Sequence, residues 1–216
     1  MPVKKINVVI LALTFSLSII FINFTFESNS KVDKTEFSSL LLGNEEALAQ
    51  QLSWTNYTTD NGVDGKVNTI VPPDWQITKD EKNETGLTAN TIVFISPKEN
   101  PNDLFQENIV LSIKSFTDNI GSNETLNTQD IIEKLQSQYT MFKFNNMSKT
   151  KIDNLRNLGD SIVYEFKDSG LLFKTKQVFI TEGKTIYIFS LLAEQKEYSK
   201  YSLIFDQVLK SIHFSN

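Results

Sequence analysis

Apolar and polar positions are most clearly ordered between Asp160 and Ala193. In Asp160–Lys167, Ile162, Tyr164 and Phe166 alternate with Glu165 and Lys167, the period of a strand with one buried face. Leu171–Ile180 and Thr185–Ala193 are rich in β-branched and aromatic residues, and the last of these runs is apolar on both sides, as in a strand covered on both faces. Turn signals separate the three, at Asp168-Ser-Gly170 and at Glu182-Gly183, so the pattern predicts an antiparallel meander. A central strand buried on both sides requires two further layers from elsewhere in the chain.

Those layers are found in the flanking segments. Ser53–Thr58 and Lys66–Val71 predict two strands of a hairpin around the turn-rich Asp60–Gly65. Pro72-Pro-Asp-Trp75 ends the second of them, because proline lacks the N–H a ladder needs and pushes the preceding residue to extended geometry. Thr91–Ile95 and Asn108–Phe116 predict two more strands, joined by the proline- and asparagine-rich Ser96–Asp103. Asn127 or Thr128 caps a predicted helix with Ile131, Ile132, Leu135, Tyr139 and Phe142 at helical spacing. Lys151–Leu158 predicts a weaker strand leading into the meander. Beyond it, Tyr198, Tyr201, Phe205, Val208, Leu209 and Ile212 mark a second amphipathic helix, and Ser211–Phe214 a short closing strand. The predicted fold class is α+β, an antiparallel β-sheet flanked by helices in an α-β-α sandwich.

The N-terminus has a different pattern. Residues 1–5 form a short basic segment with Lys4 and Lys5, and residues 6–26 carry no charge. That is about the length a helix needs to cross a bilayer, so 6–26 is expected to be a transmembrane signal-anchor or a signal peptide. Lysines before the run and Glu27 after it place the remainder outside by the positive-inside bias. Small residues at Ser28-Asn-Ser30 and Ala47-Leu-Ala49 offer cleavage sites, yet a retained anchor is the favoured expectation. Residues 27–51 then read as a tether and 52–216 as one folded domain. The expected location is the extracytoplasmic side of a membrane, or outside the cell if the leader is cleaved.

Composition narrows the chemistry. The 216 residues carry a net charge of −5, and Arg156 is the single arginine, which argues against nucleic acid as a partner. There is no cysteine, which removes disulfides, thiolate metal sites and cysteine nucleophiles. His213 is the one histidine, so neither a histidine-based triad nor a multi-histidine zinc site can be assembled. Asp60-x-Gly-x-Asp64-Gly65 resembles the start of a calcium loop, but Gly62 stands at the third position and Val71 where a bidentate glutamate is needed. Asp60 and Asp64 are thus the metal-ligand candidates, with a plain glycine-rich hairpin as the competing account. Acidic residues at Asp80, Glu81, Glu84, Glu99 and Asp103 would do acid/base work only if the fold paired two of them. The aromatic residues either fill the core or line a ligand pocket between sheet and helix.

Taken together, several segments are similar to the PsbP-like family, whose founding members are extrinsic subunits of the photosystem II oxygen-evolving complex. The resemblance lies in Ile70-Val-Pro-Pro-Asp-Trp75, Val93-Phe-Ile-Ser-Pro97, Tyr164, the Lys174–Phe179 strand, Tyr187-Ile-Phe-Ser-Leu-Leu-Ala193 and Leu209-Lys-Ser-Ile-His-Phe214. It spans about Ser53 to Phe214. It implies an α-β-α sandwich without enzymatic activity that docks on, stabilises or helps assemble a membrane protein complex, and in photosynthetic members it implies help in retaining calcium and chloride. The chain departs from that pattern in lacking a transit peptide with paired arginines and a basic docking cluster. No catalytic or cofactor-binding residue is carried over, and calcium is the one cofactor considered. The alternative expectation is a small-ligand or metal-binding module using the gap between sheet and helix, and a hydrolase with two carboxylates ranks last.

Overall fold

The computed structural model describes residues 54–60, 66–84, 87–115, 128–152, 158–182 and 185–215. In chain order these form β1 (Thr55–Asp60), β2 (Lys66–Val71), β3 (Gln76–Glu84), β4 (Leu87–Ile95), β5 (Asn108–Ser115), helix α1 (Thr128–Gln138), β6 (Thr140–Lys151), β7 (Leu158–Asp168), β8 (Leu171–Glu182), β9 (Thr185–Glu194), helix α2 (Tyr198–Lys210) and β10 (His213–Ser215). The anchor and tether expected over residues 6–51 lie outside the described residues. Among the described residues no helix is long and apolar enough to cross a membrane.

Seven strands make one antiparallel sheet in the order β3-β4-β5-β9-β8-β7-β6, and β1, β2 and β10 make a separate three-stranded sheet. The meander expected from Asp160 to Ala193 is β7, β8 and β9, each paired with the next. Every residue of β9 is buried, as its two-sided apolar run requires. Tyr187, Phe189, Leu191 and Ala193 enter one core with α2 and the small sheet, while Ile186, Ile188 and Leu192 enter a second core with α1. Alternation along a strand separates these sets by face. The two layers that β9 demanded are therefore present: two helices, supplemented on the α2 side by the three-stranded sheet.

Helix α2 buries Tyr201, Ile204, Phe205, Val208 and Leu209 at i, i+3, i+4 spacing. Its C-terminus is tied to the small sheet through Ser211, whose Oγ donates to Val208 O (2.7 Å) and accepts from the Ile70 N–H (3.0 Å). The Lys176 ammonium on β8 holds Asp206 at 2.8 Å, a second link between helix and sheet.

One expectation is corrected and one strand is added. Helix α1 stops at Gln138, and Tyr139 and Phe142 belong to the approach and body of β6 rather than to the helix. Both rings still join the α1-side core, so helical spacing was kept while the backbone changed state. The polar segment Gln76–Glu84, which carries no strand pattern, pairs along its whole length with β4. Of the weak strand expected over Lys151–Leu158, Lys151 ends β6 and Leu158 begins β7, and 153–157 lie outside the described residues.

The β7–β8 connection is a two-residue loop, because Asp168 pairs with Leu171. Ser169 and Gly170 have φ of 47° and 87°, the left-handed pair of a type I′ turn that suits the twist of a hairpin. A Cβ on Gly170 would meet nothing within 4 Å, so Gly170→Ala is expected to cost about 1 kcal/mol through backbone conformation alone. Urea denaturation should show a lower midpoint with an unchanged slope.

Candidate functional site

Of the two metal-ligand candidates, Asp60 is the last residue of β1, where it pairs with Lys66, and Asp64 lies outside the described residues. No group of three or more potential ligands that could hold a metal ion occurs among the described residues. His213 is exposed on β10, opposite Asn68.

The fold gathers charged groups at the end of the sheet where β4 leaves for β5. Asp103 folds the connection by accepting from the Glu99 N–H (3.0 Å) and the Phe105 N–H (3.2 Å), the local bonding for which aspartate is favoured in loops. The Ser96 N–H then donates to Glu107 O at 2.8 Å, closing the loop at its base. The first turn of α2 arrives beside it. Lys200 Nζ lies 2.6 Å from Glu99 Oε1, and the Tyr201 hydroxyl donates to the same oxygen at 3.1 Å. Trp75, ending the hairpin's exit, packs its ring 6.1 Å from that of Tyr201.

Two carboxylates of this corner are driven apart in acidity. Partial burial works against ionisation of Glu99, but the Lys200 ammonium and the Tyr201 hydroxyl more than offset it, and its carboxyl sits below the usual range. Glu107 is only 2% exposed, and its Oε2 has no hydrogen-bond partner. Burial pushes its carboxyl up to about 7; backbone N–H bonds oppose this, and the negative charges of Asp103 and Glu99 add to it. A pair of carboxyls held apart in this way is the electrostatic arrangement of acid/base sites. A general acid must also reach its substrate, and the Glu107 carboxyl is sealed from solvent, which suits it to a pH-dependent structural role. Sequence reasoning named Glu99 and Asp103 but missed Glu107. The available signal was a charged residue two positions before the apolar run Ile109-Val-Leu111.

A second feature lies at the opposite margin of the main sheet. Strand β6 spans twelve residues, is the outermost strand beside β7 and is mostly exposed. Two register shifts, between Thr140 and Lys143 and between Phe144 and Asn146, each place one extra residue in β6, and the first accommodates Met141 at φ 53°. Bulges and lysines blunt free edges, and Lys143, Lys149 and Lys151 stand along this one. On the same strand Met141, Phe144 and Met147 are 70%, 40% and 57% exposed. Glu165 on β7 anchors the strand from behind: the Asn145 amide donates to it at 2.8 Å, and Lys174 and Lys143 lie at 3.3 and 3.5 Å. The Asn145 bond is the main cause that holds the Glu165 carboxyl below its ordinary range. An open strand edge with apolar side chains is the geometry of strand-addition recognition.

No family model matches the chain, and no curated protein sequence matches it either. Solved structures do. The cyanobacterial PsbP (CyanoP) of Synechocystis sp. PCC 6803 superposes with a TM-score of 0.50 at 13% identity, covering 74% of this chain and 93% of that one. LpqN of Mycobacterium tuberculosis, described as involved in cell envelope biogenesis, gives 0.48 at 14% identity over 79% and 96% of the two chains. PA94 of Pseudomonas aeruginosa, a protein of unknown function, gives 0.48 at 16% identity over 76% and 98%. At these identities the likeness is one of architecture, and the chain has a PsbP-like fold.

Proposed function

We propose that this chain is a non-enzymatic, membrane-tethered, extracytoplasmic domain, an α-β-α sandwich of the PsbP type, that docks on a membrane protein complex and stabilises it or helps it assemble. The single observation that carries the reading is the β6 edge, which no other strand among the described residues covers and where Met141, Phe144 and Met147 stand exposed. Exposed apolar side chains on a long edge strand are a liability unless a partner covers them. The partner feature that fits is an extended segment whose main chain pairs with β6 and whose apolar side chains meet those three residues. The lysines flanking the patch favour acidic residues at the ends of that segment. The uncharged run over residues 6–26 supplies the membrane anchor and residues 27–51 the tether.

A photo-crosslinking side chain placed at Met147, in the full-length protein in membranes of its own cells, tests the reading. One abundant adduct that co-purifies stoichiometrically in detergent is expected, with no such adduct from the same group at Lys210, an exposed residue at the end of α2. Charging the edge with Met147→Lys should weaken capture of that partner at least tenfold, through loss of one buried apolar anchor. Equal labelling from both positions, or recovery of the protein from cytosol with its leader intact, would refute it.

A further inference from the structure

Among the described residues, sulfur is confined to one strand. The chain holds three methionines, Met1, Met141 and Met147, and no cysteine. Both internal methionines lie on β6, the outermost strand beside β7, and they are 70% and 57% exposed. The buried core is built from aliphatic and aromatic side chains without a methionine. Methionine ordinarily fills irregular gaps in cores, and where it gathers on a surface it makes adaptable contacts with partners. Here it has only the second place.

The backbone presents one of these side chains at a cost. Met141 has φ 53°, in the left-handed region that a residue with a Cβ adopts under strain, and it sits at the first of the two register shifts of β6. Met147 lies further along, opposite Ile162 on β7. An exposed thioether meets dissolved oxidants that a buried one does not, and its sulfoxide is polar and chiral where the thioether was apolar. In a core that change disrupts packing. At these two positions the free domain leaves the sulfur in water, so the fold is not asked to bury the product.

We propose that Met141 and Met147 are oxidation sites through which an oxidant of the hydroperoxide class lowers the affinity of the β6 edge for its partner. The proposal rests on the docking reading above and adds its regulation. In the reaction a lone pair on the thioether sulfur attacks one peroxide oxygen. The S–O bond forms as the O–O bond breaks, the sulfur gives up two electrons, and the second oxygen leaves with the proton as water or an alcohol. The sulfoxide oxygen is a strong acceptor, and a partner's apolar side chain offers it no donor. Covering it in the interface therefore costs affinity. Linkage makes the effect reciprocal: a bound partner that disfavours the sulfoxides also shields both sulfurs from the oxidant.

The test uses the full-length protein in detergent, hydrogen peroxide as the oxidant, and the partner identified by crosslinking through Met147 as the ligand. Peptide mass spectrometry should show one added oxygen on Met141 and one on Met147, with thermal unfolding unchanged. Capture of the partner should fall about tenfold, equivalent to the loss of one apolar anchor. Methionine sulfoxide reductases specific for the two epimers, applied together, should restore it. A double variant carrying Met141→Leu and Met147→Leu should capture the same amount before and after peroxide, whatever that amount is. Capture that survives full conversion of both methionines, or a peroxide-dependent loss that persists in the double variant, would overturn the proposal and leave docking at β6 standing. A lowered unfolding temperature after oxidation would also overturn it, because the lost capture would then report damage to the fold. Reduced wild type that captures no partner would refute the docking reading, and this proposal with it.

Discussion

Glu107→Gln is expected to stabilise the fold by about 3 kcal/mol at and above neutral pH. The carboxyl is raised from 4.5 to about 7 by its burial, and each pH unit between folded and unfolded values is worth about 1.4 kcal/mol. The folded state therefore holds a proton that the unfolded state releases. Below about pH 4.5 both states are protonated and the wild type bears no penalty. Between about 4.5 and 7 the unfolded chain ionises first and stability falls as pH rises, and above about 7 both states are ionised and the full penalty persists. Glutamine keeps the shape without the charge, so the variant should match the wild type at pH 4 and exceed it by the largest margin at pH 8. Denaturant midpoints measured across that range provide the check. A variant whose pH dependence parallels the wild type would show that the Glu107 carboxyl does not change protonation between the folded and unfolded states in this window. Glu99 bears on the same window with the opposite sign. Its carboxyl is lowered, so its contribution is present above its unfolded value and lost as pH falls below it.

Phe189→Ala should be the most damaging single truncation in the core. Phe189 is fully buried at the centre of β9, and its ring lies among Leu111, Phe205 and Val208 of the α2-side core. Removing a buried aromatic ring costs about 3–5 kcal/mol, through lost transfer energy and the cavity left behind. Whole domains have about 5–15 kcal/mol in hand. A large loss of thermal stability is expected, with α2 and the small sheet giving up hydrogen-exchange protection before the β7–β8 hairpin does. A loss below about 1 kcal/mol would mean that the core collapses around the site and that β9 is not the rigid centre of the sheet.

The β3 and β6 strands show where local pattern stops being informative. Gln76–Glu84 consists mainly of charged and amide residues, and it becomes a strand because β4 offers it a complete ladder at the sheet margin. Across the junction of α1 and β6, Leu135, Tyr139 and Phe142 are spaced as on a helix, and within β6 the two register shifts break the alternation that would mark a strand. Local propensity yields to tertiary pairing in both places. The β6 patch could not be seen in advance for the same reason. Nothing in the local pattern of Met141, Phe144 and Met147 marks them as side chains of an outermost strand.

What could be read from residue order alone was whatever depends on neighbours a few positions away. The meander, the turn at Asp168-Ser-Gly170, the early hairpin and the amphipathic face of α2 belong to that class, because alternation, helical spacing and glycine chemistry act over single turns of chain. The Glu107 corner and the β6 edge depend instead on distant partners. Glu107 owes its raised pKa first to burial, with the charges of Asp103 and Glu99 in the β4–β5 connection adding to it and the backbone of Glu194, at the distant end of β9, opposing it. The β6 edge exists because β6 pairs with β7 on one side and no other strand among the described residues takes the other. Burial and electrostatics depend on distance through space, and that distance came into being only when the strands paired.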